Sequence, residues 1–110
     1  MKAWHEGVDL AGALGSAVHT PVAGKVTFAG KKPNYAYVVE ISAPDGYVLR
    51  FAHLGALSVK EGDLATAEAN IGAIGMDDAS TGPHVHVEVF WKGKGVDPEQ
   101  AKGLTLIAAN

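Results

Sequence analysis

The chain has 110 residues, of which 47% are hydrophobic and 19% are charged, and its formal net charge is −3. This composition is typical of one globular domain with a core, excludes intrinsic disorder and leaves no basic footprint for nucleic acid. The absence of cysteine excludes disulfides and thiolate metal ligands, and no apolar run approaches the roughly 18 residues that a membrane span requires.

The N-terminal segment Met1-Lys2-Ala3-Trp4 runs directly into His5 and contains no apolar signal-peptide core. The sequence therefore predicts either that the protein is not exported by that route or that this is a mature or trimmed form. Residues 1–110 are predicted to form a single domain. A monomer is expected, although the sequence does not decide the oligomeric state.

Short strands dominate the predicted secondary structure, because fourteen glycines punctuate the chain and limit helix length. Asp45-Gly46 is a hairpin signal between two strand-like runs. Two loops, residues 31–34 and 76–83, are expected to wall a groove. Helical turns are expected only at residues 64–69 and 98–102, and a loop at 92–95. The predicted strands cover residues 18–22, 24–29, 35–42, 47–52, 57–59, 71–74 and 84–91, with 104–108 as a further candidate.

The segment Ser80-Thr81-Gly82-Pro83-His84-Val85-His86-Val87-Glu88-Val89 carries two histidines two residues apart in an alternating, β-branched run. Side chains at i and i+2 of a strand point to the same face, so His84 and His86 are predicted to stand side by side. Two imidazoles on one face are poor core residues and good metal or proton-transfer groups.

Two further strand-like segments present groups of the same kind. In His5-Glu6-Gly7-Val8-Asp9, a strand places His5 and Asp9 on one face with a gap at Gly7 between them. His53 ends the strand-like run that begins at Tyr47. Imidazole and carboxylate ligands suit zinc, with copper, nickel and iron as alternatives.

These motifs together resemble the lysostaphin-type zinc endopeptidases. The resemblance rests on "WHEGVDL", "FAHL" and "STGPHVHVEV", with connecting matches in "PVAGKVTFAG", "VKEGD", "IGAIG" and "GVDP", and it covers roughly residues 4–98. It implies an all-β fold with a largely antiparallel sheet core and a loop-walled groove. It also implies cleavage of cross-links or stem peptides of bacterial peptidoglycan, and hence action at the cell wall, whether extracellular, periplasmic or delivered by a phage as a lytic enzyme.

The resemblance assigns roles residue by residue. His5, Asp9 and His86 match the three ligands of one zinc ion. His84 and His53 match two catalytic histidines that do not bind the metal. The family also uses a tyrosine near the oxyanion; Tyr35 and Tyr37 lie in the matching segment, but the loop is shorter here and neither is assigned.

The implied chemistry is consistent with the residue types. Two imidazoles and one carboxylate leave a fourth zinc position open, which is the layout of a catalytic site. No His-Glu-x-x-His helix supplies a glutamate base, so a histidine is expected to take that role. His84 is best placed to do so, and His53 would stabilise the oxyanion or protonate the leaving amine, although the sequence does not decide between them. Glu88 shares their face and either orients an imidazole or, as the slightly favoured interpretation, is an ordinary solvated side chain.

Two other classes of function remain as alternatives. A non-catalytic peptidoglycan-binding or amidase-activator module could keep the same fold, but it is expected to have lost at least one of the five site residues. A carrier or phosphotransfer β-domain is hinted at by "HTPVAGKV". A carrier would need a Met-Lys pair at a hairpin tip, however, and phosphotransfer would not need a third histidine with Asp9.

Overall fold

The structure, a computed structural model, describes residues 8–75 and 82–96. Within them the regular structure is almost entirely strand, with one short 3₁₀ turn at Pro44–Gly46. No helix in these ranges is long and apolar enough to cross a membrane. The strands are β1 (Val8–Ala11), β2 (Ala17–His19), β3 (Gly24–Lys32), β4 (Ala36–Ser42), β5 (Tyr47–Leu57), β6 (Leu64–Ala65), β7 (Asn70–Ile74), β8 (His84–Trp91) and β9 (Lys94–Val96).

All strand pairs of the sheet are antiparallel, in the order β1-β8-β5-β4-β3-β6, with β9 on β8 and β2 on β7. The predicted all-β, largely antiparallel fold is therefore confirmed. The hairpin at Asp45-Gly46 is also confirmed, since the turn at Pro44–Gly46 joins β4 to β5.

Two local predictions are wrong. Residues 64–69 were expected to be helical, but Leu64 and Ala65 form β6, paired with the start of β3. Residues 92–95 were expected to be a loop, but β9 begins at Lys94 and returns along β8. In both places the pairing of a strand edge outweighs a weak local preference. The helical turn expected at 98–102 and the strand expected at 104–108 lie outside the described residues.

The core lies on one face of the central strands and follows their alternation. Val85, Val87 and Val89 of β8 are buried and face away from His84 and His86. Leu49 and Phe51 of β5 pack into the same apolar cluster. The other members of the cluster come from the flanking strands: Val18, Val26, Val39, Ile41, Leu54, Ala65, Ile71 and Ile74. Burial of this face fixes the register, because a one-residue slip would expose every core side chain of a strand.

The long strand β5 changes partner in its middle. Up to Ala52 it pairs with β8, and from Leu54 onward it pairs with β7. At the same point β5 contains one extra residue relative to β4. The pair Val39↔Phe51 is followed by Tyr37↔Leu54, so β5 advances by three residues while β4 advances by two. This extra residue is a β-bulge. His53 lies where β8 and β7 diverge from β5, and this point of divergence is called the fork below.

Gly75 closes this fork. Its carbonyl accepts the N–H of His84 at 3.1 Å, so it joins the end of β7 to the start of β8. A Cβ at position 75 would lie 2.7 Å from the backbone nitrogen of Gly55 and 2.7 Å from the carbonyl oxygen of His53. Only glycine permits this approach, because both obstructing atoms belong to the backbone and cannot rotate away.

The substitution Gly75→Ala is therefore expected to destabilise the protein. Forcing a methyl group into a filled site typically costs about 1–3 kcal/mol of unfolding free energy. Thermal or urea unfolding of the purified variant measures this cost. Gly82→Ala is the matched control, because a Cβ at position 82 would meet nothing within 4 Å, and its stability should be unchanged or slightly raised. Equal stability of the two variants would contradict the role given to Gly75.

Candidate active site

The strands β8 and β1 bring a histidine and a carboxylate face to face. Asp9 of β1 is the cross-strand partner of His86 in β8, so both side chains leave the sheet on the same side. Asp9 Oδ1 lies 2.7 Å from His86 Nδ1 and 3.8 Å from His84 Nε2. The Asp9 side chain is 61% exposed, whereas those of His84 and His86 are 14% and 19% exposed. The pair therefore stands at the floor of an accessible site, with the carboxylate on the solvent side.

His53 reaches this site only because of the bulge in β5. Strict alternation from Phe51 would direct the His53 side chain into the core. Instead, His53 has φ of 63°, and its N–H donates to the carbonyl of Tyr35 at 2.8 Å. Its ring centroid lies 5.6 Å from that of His84 and 6.1 Å from that of His86. Among the described non-glycine residues with positive φ, it alone lies inside a strand; the others, in turns or at a strand end, are Asn34, Ala36, Glu68 and Lys92.

The backbone before β8 sets the tautomer of His84. Its Nδ1 lies 3.1 Å from the carbonyl oxygen of Gly82, which can only accept a hydrogen bond. Nδ1 therefore carries a proton, and in the neutral ring Nε2 presents its lone pair toward Asp9 and the open site. A histidine held in this tautomer is suited to take up a proton at Nε2.

His86 lies between two carboxylates. Its Nδ1 faces Asp9, and its Nε2 lies 3.3 Å from Oε2 of Glu88. Glu88 is only 5% exposed, so the slightly favoured interpretation of this residue as solvated is wrong. Its second oxygen, Oε1, accepts a hydrogen bond from Nη1 of Arg50 at 2.8 Å. A buried charge is tolerated when it is paired and hydrogen-bonded in this way.

Arg50 joins Glu88 to a second carboxylate. Its Nε donates to Oε2 of Glu40 at 2.9 Å, and the same oxygen lies 3.4 Å from Nζ of Lys32. Burial lowers the pKa of Arg50, but the hydrogen bonds to Glu40 and Glu88 and the attraction of both carboxylates outweigh it and hold that pKa above its usual value. The guanidinium is therefore a permanent cation beside the histidine cluster.

The site residues predicted from the sequence fall into two groups. The structure brings together Asp9, His53, His84 and His86 on one face of the sheet. His5, the third expected metal ligand, lies outside the described residues. Among residues 8–75 and 82–96 there is no group of three or more histidine, aspartate or glutamate side chains placed to hold a metal ion.

The two expected ligands that are described fit zinc in chemistry and in spacing. Donor atoms that bind a tetrahedral zinc at about 2.0–2.1 Å lie about 3.3 Å apart. His86 Nδ1 and Asp9 Oδ1 are 2.7 Å apart, so a shift of roughly half an ångström by the exposed Asp9 side chain would complete that spacing. An imidazole nitrogen and a carboxylate oxygen are also the donor types that zinc accepts.

The sequence matches Peptidase family M23 over residues 3–98. The chain belongs to this family. It is 38% identical over 94 residues to the DD-carboxypeptidase/endopeptidase Mpg of Neisseria meningitidis serogroup B, which covers 86% of this chain and 22% of Mpg. It is 30% identical over 95 residues to the murein hydrolase activator NlpD of Escherichia coli K12, covering 86% of this chain and 25% of NlpD. The chain thus spans about a quarter or less of the length of these M23 relatives.

Solved structures of M23 proteins share the fold. The catalytic domain of lysostaphin from Staphylococcus simulans superimposes with a TM-score of 0.79 at 29% identity, covering 86% of this chain and 76% of that domain. A zinc-containing peptidase from Vibrio cholerae gives a TM-score of 0.81 at 33% identity, covering 89% of this chain and 30% of that protein. The predicted resemblance to lysostaphin-type peptidases is therefore confirmed.

Two features of this M23 site were missed by sequence reasoning. The first is the bulge at His53, for which Gly55 in the same strand-like run was an available signal, since a glycine inside a strand often marks a bulge. The second is the ion-pair ladder of Arg50, Glu40 and Glu88. A signal for it existed, because Arg50 is the only arginine of the chain and interrupts the apolar run of β5. An arginine inside a half-buried strand calls for a carboxylate partner, and Glu88 was already predicted to share the face of the histidines.

Proposed function

We propose that this chain is a zinc-dependent endopeptidase that hydrolyses peptide bonds of bacterial peptidoglycan. The observation that carries the proposal is the placement of Asp9 Oδ1 at 2.7 Å from His86 Nδ1, with the rings of His84 and His53 beside them on one face. Its membership of the M23 family and its similarity to Mpg and to a zinc-containing peptidase support the same conclusion.

One zinc ion per chain would be held by His5, Asp9 and His86. Bound there, it would polarise the attacking water and the scissile carbonyl. Three protein ligands would leave one position of a tetrahedral zinc for water or substrate, and the Asp9 side chain is exposed to solvent. Substrate can therefore approach from the side of Asp9.

His84 is proposed as the general base. The hydrogen bond from its Nδ1–H to Gly82 directs the lone pair of Nε2 into the site, where it can accept a proton from the attacking water. His53, on the opposite side of the histidine cluster, is proposed to stabilise the developing oxyanion or to protonate the leaving amine. The Tyr35 ring lies 6.2 Å from the His53 ring.

The favoured substrate is a D,D cross-link of peptidoglycan, with the cell wall as the place of action. The support is the 38% identity to Mpg, a DD-carboxypeptidase/endopeptidase. Purified cross-linked muropeptide dimers incubated with the protein should yield monomers, which liquid chromatography with mass spectrometry detects. Persistence of the dimers with the zinc-loaded protein would contradict the proposal.

A murein hydrolase activator is the second candidate, because the chain is 30% identical to NlpD. An activator has no need of a base and a metal-binding pair on one face. The presence of Asp9, His53, His84 and His86 together therefore favours the enzyme. The same digestion assay separates the two, since an activator would leave dimers intact by itself and stimulate an added amidase.

Removing Asp9 is expected to abolish tight zinc binding. Asp9→Ala deletes one proposed ligand from an exposed position, so the fold should survive while the metal content falls from about one zinc per chain to a small fraction. Metal analysis after dialysis measures this content. Glu61→Gln, which alters an exposed carboxylate on the turn before β6, is the control and should retain zinc. Full zinc retention by Asp9→Ala would remove Asp9 from the ligand set.

Removing either proposed catalytic histidine should separate metal binding from catalysis. His84→Ala and His53→Ala are expected to keep zinc and to lose about 10²–10⁴-fold in kcat, the usual contribution of a general acid or base. His19→Ala is the matched control, because His19 lies in β2 and pairs with β7, away from β8. Loss of zinc in His84→Ala would instead mean that the roles of His84 and His86 are exchanged.

A further inference from the structure

We propose that Arg50 is a positioning residue for the active site, which acts through Glu88 to hold the ring of His86 with Nδ1 directed at Asp9 and the metal. The proposal rests on the zinc-dependent function given above. It assigns a role to a residue that lies beside the site on the same face of the sheet and donates its hydrogen bonds to Glu40 and Glu88.

The guanidinium of Arg50 is fixed from four sides. Its Nε and Nη1 donate to Glu40 and Glu88 at 2.9 Å and 2.8 Å. Its central carbon lies 5.0 Å from the ring centroid of Phe90 and 5.6 Å from that of Tyr35. A planar cation that makes two directed hydrogen bonds and contacts two aromatic rings has little freedom to rotate.

The cross-strand register explains why these groups meet. Glu40 of β4 is paired with Arg50 of β5, and Arg50 is paired with Glu88 of β8. Directly opposed residues of antiparallel strands lie on one face, so the three side chains form a row across the sheet. The next pair toward the site is Ala52 with His86, and the small Ala52 side chain leaves room for the imidazole above it.

Glu88 links Arg50 to His86, because one of its carboxylate oxygens contacts each of them. With Oε1 held by Arg50, its Oε2 faces Nε2 of His86 at 3.3 Å. Carboxylate oxygens only accept, and Nδ1 of His86 also faces a carboxylate, Asp9, at 2.7 Å. A metal bound at Nδ1 would take the lone pair of that nitrogen, and the proton of the neutral ring would then be on Nε2, where Oε2 of Glu88 can accept it. A histidine ligand whose other ring nitrogen donates to a carboxylate is a recurring means of fixing both tautomer and ring orientation.

Arginine is required here because of its geometry. A lysine ammonium is a point charge on a flexible stem and does not provide two donors in a rigid plane for carboxylates on either side. Lysine would keep the charge pairing with Glu88 and lose the fixed orientation. The two roles of Arg50, charge and geometry, can therefore be separated by substitution.

The test measures zinc affinity, by competition with a chromogenic chelator, for the wild type and four variants. Glu88→Gln is expected to weaken zinc binding by about 10–100-fold, the usual effect of removing a group that orients a ligand. Arg50→Gln is expected to weaken it by about 10-fold, and Arg50→Lys by less. Glu61→Gln is the matched control: it removes an exposed carboxylate on the turn before β6, outside the row of Glu40, Arg50 and Glu88, and should leave zinc affinity within about twofold of the wild type.

A double-mutant cycle tests whether Arg50 affects zinc binding through Glu88. If Arg50 acts through Glu88, the combined Arg50→Gln, Glu88→Gln variant should bind zinc no more weakly than Glu88→Gln alone. Multiplicative losses in the double variant would overturn the proposal. The same holds if zinc affinity is unchanged in both Arg50→Gln and Arg50→Lys.

Thermal unfolding and a second comparison of variants cover the case in which a substitution disturbs the fold. Thermal unfolding of the zinc-free variants separates a loss of fold from a loss of positioning. If Arg50→Gln does not fold, the comparison of Arg50→Lys with Glu61→Gln decides: weaker zinc binding in Arg50→Lys alone supports the proposal, and equal affinities overturn it. Failure of the proposed function is distinct, because the wild type would then neither bind zinc nor cleave muropeptides.

Discussion

The partner change of β5 at His53 is the constraint on which the candidate active site depends. One strand cannot pair with both β8 and β7 along the same edge, so β5 has to leave one before it joins the other. The bulge makes this possible, and it also turns His53 out of the core toward His84 and His86. The positive φ of His53 costs about 1–3 kcal/mol, a strain that persists only where the surrounding structure imposes it. Here the surroundings are the hydrogen bond to Tyr35 and the close backbone approach at Gly75.

The two faces of the sheet differ in polarity: one packs the apolar core, and the other carries the polar residues of the site. On one face, the valines of β8 and the large side chains of β5 are packed without solvent contact. On the other face, Glu40, Arg50 and Glu88 form a polar row beside the histidine cluster. Replacing such a buried ion pair with apolar residues is often neutral or stabilising, so its presence is weak evidence of a role in stability. Its contact with His86 fits the proposed positioning role better, since holding a proposed metal ligand in one orientation needs a fixed acceptor.

The sequence was sufficient for the parts of the fold that depend on local pattern. Alternation in residues 84–91 predicted which side chains of β8 face the core, and Asp45-Gly46 predicted the β4–β5 hairpin. It was not sufficient where pairing is non-local. Leu64 and Ala65 carry no strand signal of their own and become β6 because the start of β3 offers an edge. Gly55 hints at the bulge at His53, but the change of partner that the bulge allows is not encoded locally, because it arises from the competition of β7 and β8 for one strand.

The candidate site also has a part that local sequence pattern predicts and a part that depends on non-local pairing. The motifs identified the histidines and Asp9 by residue type and order, and the structure places the four described members together. Glu88 was interpreted as solvated because its partner Arg50 is 38 residues away, and the lone arginine within β5 signals a carboxylate partner without specifying which one. The difference has a physical origin: groups that perform chemistry on a substrate are recognisable by what they are, whereas groups that orient them are recognisable only by what they touch. In a nine-stranded sheet whose site draws on β1, β5 and β8, those contacts are set by strand order, which local sequence does not encode.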